Sequence, residues 1–101
     1  MTAWAYVLVF NEAVGTRDAV KDYLDTLSEV TYWYVCLPNT VFLTATVSAG
    51  DLSERIRERF GTDKGQRHFI TEVHKDRDGW LPKKVWHMLK NPDDPRMPEK
   101  G

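Results

Sequence analysis

The chain has 101 residues, enough for one hydrophobic core and too few for a second. At 42% hydrophobic, 29% charged and 12% aromatic it has a globular composition unusually rich in rings. The 14 Lys and Arg against 15 Asp and Glu leave a net charge of −1, which argues against strong nonspecific phosphate binding, and the single cysteine, Cys36, excludes an intrachain disulfide and a four-cysteine zinc site.

Trp4 to Phe10 is a continuous apolar run of β-prone residues, and it predicts a central strand covered on both faces. It falls far short of the ~20 residues of a membrane span. A soluble cytoplasmic protein with no membrane partner is therefore expected. Gly15 and Thr16 precede Val20, Tyr23, Leu24 and Leu27, an apolar stripe at three- and four-residue spacing. Thr16 fits an N-cap and Asp18 suits the positive helix end, so the first helix is expected over 17–28.

Residues 31–37 are aromatic and β-branched, Pro38-Asn39-Thr40 fits a hairpin turn, and Val41 to Val47 alternates in period two. Val41, Leu43, Ala45 and Val47 should face the core, opposite Phe42, Thr44 and Thr46. Ser48 with Asp51 predicts a capped helix running through Leu52, Ile56 and Phe60 and stopped by Gly61. His68 to His74 reads as a short, partly polar edge strand. Pro82 then opens a third helix with the ridge Val85, Trp86 and Leu89, expected over 82–90. From Asn91 the chain carries 3 prolines in its last 11 residues and almost nothing apolar, the pattern of a mobile tail over 91–101.

The order strand, helix, two strands, helix, strand predicts an α+β, ferredoxin-like βαββαβ sandwich with an antiparallel sheet of order 4-1-3-2 and an extra C-terminal helix. Residues 1–90 form the single domain in this expectation. Trp4, Tyr6, Leu8 and Phe10, with Phe42, are expected on the sheet face away from the first two helices. Either the C-terminal helix or a homodimer partner would then hide that face.

Chemistry-bearing candidates are few. A carboxylate ending the first strand can hold a divalent cation, but Asn11 stands there, followed by Glu12, and an amide is a poor anchor for a hard cation. His74, Asp76 and Asp78 lie close in sequence as a metal hint, against which a solvated charged turn is the commoner explanation. His68 and His74 are too far apart along a strand to share a metal. Cys36, on a strand among apolar neighbours, reads as a small hydrophobe and not a nucleophile. Tyr6 and Phe42 are the candidate rings for stacking RNA bases on the sheet, although the basic-glycine-aromatic pattern of RNA-recognition motifs is missing. No cofactor is expected.

Trp33, the passage Val47-Ser48-Ala49-Gly50-Asp51-Leu52-Ser53 and, above all, Gly79-Trp80-Leu81-Pro82-Lys83-Lys84-Val85-Trp86 resemble a family of small bacterial and phage proteins labelled SinR-like. That family is in turn similar to the small ferredoxin-like dimers of CRISPR adaptation, whose relatives include metal-dependent and toxin-like ribonucleases with an Asp at the end of the first strand. The resemblance implies a homodimeric scaffold associated with nucleic acid or mobile-element defence. Phe10-Asn11 stands where Tyr-Asp is expected, so a noncatalytic interaction module is the leading expectation. A divalent-metal nuclease built on Asn11 and Glu12, or an RNA-binding sheet, are the alternatives.

Overall fold

The computed structural model describes residues 2–93. Its elements run β1 (Trp4–Phe10), α1 (Arg17–Asp25), β2 (Val30–Tyr34), β3 (Thr40–Ala45), α2 (Ala49–Phe60), β4 (His68–Glu72) and α3 (Lys83–Lys90). The result is a small α+β domain whose four antiparallel strands lie in the order β2-β3-β1-β4.

Local chemistry fixes the helix ends. The Thr16 side chain accepts a hydrogen bond from the Ala19 backbone N–H, and Ser48 accepts one from that of Asp51. Gly61 ends α2 at φ 94°, a backbone conformation open to glycine. α1 closes at Asp25, three residues before its expected end, because Thr26 turns back: its backbone N–H and its hydroxyl both donate to the Tyr23 carbonyl. Asn39, at φ 52°, makes the turn before β3, a role its short polar side chain tolerates.

Two apolar clusters sandwich the sheet. On one face α1 and α2 press Val20, Leu24, Leu52 and Ile56 onto Tyr6, Leu8, Phe10, Val41 and Leu43. On the other, α3 lays Val85, Met88 and Leu89 over Ala5, Tyr32 and Phe42. Burying each large side chain contributes roughly 1.5–3 kcal/mol. A bulge at Thr31 lets Val30 and Trp33, three residues apart, both face α1 and α2 while Tyr32 faces α3. The hydroxyls of Thr31 and the fully buried Thr44 meet at 2.7 Å across that irregular pairing.

This arrangement corrects the expected facing of β1. Tyr6, Leu8 and Phe10 point toward α1 and α2, not away from them, and Trp4 is 40% exposed. Period-two alternation states only which residues share a face; the docking of the helices decides which face it is. The gap beneath α1 and α2 takes the bulky set, whereas α3 approaches over the small Ala5.

Polar contacts anchor the edges of the layers. Trp33 Nε1 donates to Asp25 Oδ1 at 2.8 Å, and Arg55 grips Glu29 through Nη1 at 2.8 Å and Nη2 at 3.2 Å. That guanidinium holds the Glu29 carboxyl at about 2, well below the usual range. After α3 the Ala3 backbone N–H donates to the Asp93 carboxylate, tying the chain back to the start of β1. Residues 91–93 of the expected mobile tail are thus held in place, and 94–101 lie outside the described residues. Among the described residues no helix is long and apolar enough to cross a membrane.

Candidate interaction surface

Asn11 acts as a loop clamp. Its Nδ2 donates to the Gly65 carbonyl at 2.6 Å, its Oδ1 accepts from the Arg67 N–H at 3.1 Å, and its own N–H donates to the Arg67 carbonyl at 3.0 Å. Both side-chain atoms are committed to the α2–β4 loop, which a residue that both donates and accepts can do and a carboxylate cannot. Glu12 follows on the exposed turn.

Tyr6 and Phe42, the candidate rings for RNA stacking, do not form one platform. Tyr6 is 3% exposed beneath α1 and α2 and its hydroxyl donates to the Val47 carbonyl at 2.8 Å; burial first, and Glu72 second, push that phenol up. Phe42 lies on the opposite face beneath α3. Position on a strand had suggested a shared sheet surface, but the β1–β3 register sets Phe42 opposite Val7, not Tyr6.

His74, Asp76 and Asp78 are likewise not gathered: His74 Nε2 lies 4.0 Å from Glu72 and Asp78 accepts from the Gly79 N–H at 2.8 Å. Among the described residues no group of three or more His, Cys, Asp or Glu is arranged to hold a metal ion. Cys36 falls in the connection after β2 rather than on the strand, half-buried, and burial pushes its thiol up. Such a thiol is a poor nucleophile.

A polar cluster absent from the sequence expectations joins α2 to β4. The Ser53 hydroxyl lies 2.6 Å from His68 Nε2 and accepts from Arg57 Nη1 at 2.8 Å. Because Arg57 supplies one proton to that oxygen, the Ser53 proton is free to go to a neutral His68. Burial, and then the Arg57 charge, keep the His68 pKa below its usual value, which suits that role. Ser53 and His68 are 15 residues apart in different elements, so no spacing pattern could have revealed the pair. The contact pins an edge strand to its covering helix.

The more extensive feature is apolar and lies beside α3. That helix packs over Ala5, Tyr32 and Phe42, and Val9, further along the same face, stays 40% exposed. Next to the helix a groove of about 400 Å³ is lined by Val7, Leu37, Phe42, Leu81, Trp86 and Leu89, and closed along one side by Arg77 to Trp80. Trp80 stands at the rim fully exposed, and Leu37 is 42% exposed. Val9 and Phe69 pair across β1 and β4 and continue the face beyond Val7, at 40% and 63% exposure. Single exposed apolar side chains need no explanation, but a contiguous set bordering a groove marks a surface that binds something. The Gly-Trp-Leu-Pro run contains Trp80, but nothing in its sequence places the ring in solvent; the fold does.

No protein-family model, curated protein or solved structure matches the chain.

Proposed function

We propose that this protein is a noncatalytic interaction module of ferredoxin-like fold that pairs with a second copy of itself through the part of the sheet face left open by α3. The observation that carries this is the pair Leu37 and Trp80, exposed at one apolar groove, with Val9 and Phe69 exposed further along the same sheet face. The order β2-β3-β1-β4 with helices after β1 and β3 supports the ferredoxin-like assignment, and α3 is the addition to it. A cytoplasmic setting follows the single cysteine, and a role near nucleic acid or mobile-element defence follows the SinR-like resemblance.

The clamp made by Asn11 favours the noncatalytic form over a divalent-metal nuclease. An uncharged amide whose nitrogen and oxygen are both held by loop backbone groups is a weak and poorly placed ligand for a hard cation. Light scattering of the purified protein across concentrations, paired with incubation of RNA and DNA with Mg²⁺ or Mn²⁺, tests the proposal. A dimer that leaves both nucleic acids intact is expected. Metal-dependent cleavage that Glu12→Ala abolishes would establish the nuclease instead.

A further inference from the structure

Resting on the self-association proposed above, we infer that the dimer is held by reciprocal insertion of Trp80, the indole of each copy filling the groove of the other. A two-fold interface uses the same patch on both copies, so that patch must contain both a projection and the recess that receives it. Here the two are adjacent. Trp80 is fully exposed among the described residues, and the groove beside it is lined by Val7, Leu37, Phe42, Leu81 and Leu89. At about 400 Å³ the recess falls within the roughly 300–1,000 Å³ of concave binding sites.

Charge and area both fit a second copy as the occupant. Arg77 and Asp78, of opposite sign, sit side by side on the same rim. A two-fold axis passing beside this pair can set Arg77 of each copy against Asp78 of the other, whereas a partner of uniform charge would meet one of them unfavourably. Trp80 and Phe69 together expose on the order of 380 Å², taking aromatic side chains at about 150–250 Å² each. That is nearly half of the roughly 800 Å² each partner gives to a specific interface, before the smaller share of Val9, Leu37 and the rim. Trp is also among the residues most enriched at the energetic anchors of interfaces.

Sedimentation of the full chain over a concentration series tests the inference, with Trp80→Ala and Leu37→Asp as variants. Both positions are exposed, and far-ultraviolet dichroism should show the fold unchanged. Each variant is expected to weaken the dimer by about 30-fold or more. Arg77→Asp and Asp78→Arg should each weaken it, and the doubly reversed protein should regain most of the loss. A wild-type dimer indifferent to Trp80→Ala and Leu37→Asp would overturn the insertion while leaving self-association intact. Wild type that stays monomeric throughout would overturn both, and cross-links from Lys83 to Lys100 within such a monomer would give the groove to the chain's own C-terminal segment.

Discussion

Replacing Asn11 by Asp restores the acid that a metal-binding end of β1 would use, and it separates a loop clamp from a cation site. In the clamp the amide Nδ2 donates to the Gly65 carbonyl at 2.6 Å while Oδ1 accepts from Arg67 at 3.1 Å. An aspartate keeps the second bond but turns an anionic oxygen toward the Gly65 carbonyl oxygen. One hydrogen bond of about 1 kcal/mol is lost, repulsion adds to it and partial solvation tempers it, for a net destabilisation of about 1–3 kcal/mol. For a domain of this size each kcal/mol lowers Tm by about 5 °C, so calorimetry should read a fall of about 5–15 °C at neutral pH. The new carboxyl would have its folded pKa raised above about 3.9, its value in the unfolded chain. Between those two values the folded state binds more protons than the unfolded, so the variant loses stability as pH rises through that window. The penalty is complete above the folded pKa, and the gap to wild type closes below about pH 3.9. An Asn11→Asp protein as stable as wild type that gains Tm on adding Mg²⁺ would refute the clamp and reinstate the cation site.

Three further outcomes follow from the packing. Tyr32 is buried beneath α3 with a hydroxyl that has no hydrogen-bond partner among the described residues, so Tyr32→Phe should leave stability unchanged or raise it by up to about 1–2 kcal/mol in urea titration. Met88→Ala empties a fully buried position between α3 and the sheet and should cost about 2–5 kcal/mol by the same titration. His68 has a lowered folded pKa, so below its unfolded value of about 6.5 the unfolded chain binds the extra proton first. Stability should therefore fall as pH drops from about 6.5 toward the folded value, and His68→Gln should flatten that slope in thermal melts.

Much of the scaffold was legible because it is written in local chemistry. Thr16, Ser48 and Gly61 mark helix ends by the hydrogen bonds and the dihedral angle they alone supply. The alternation Val41, Leu43, Ala45 against Phe42 divides β3 between the two clusters as its pattern requires. What stayed hidden depends on tertiary placement. The facing of Tyr6, Leu8 and Phe10 is chosen by where the helices dock, and β2 stops at Tyr34 while its apolar, strand-like pattern runs on to Leu37. The Ser53–His68 contact and the open groove under Trp80 join segments whose proximity no spacing encodes.

Hydrogen exchange measured at increasing protein concentration tests the central claim most directly, because it reports which backbone is covered. The account predicts concentration-dependent protection confined to residues 68–81, the stretch that carries Phe69 and Trp80, and to the connection around Leu37, with the outer faces of α1 and α2 unaffected. Exchange in these segments that does not change from dilute to concentrated solution, or protection that appears on α1 and α2 instead, would contradict it.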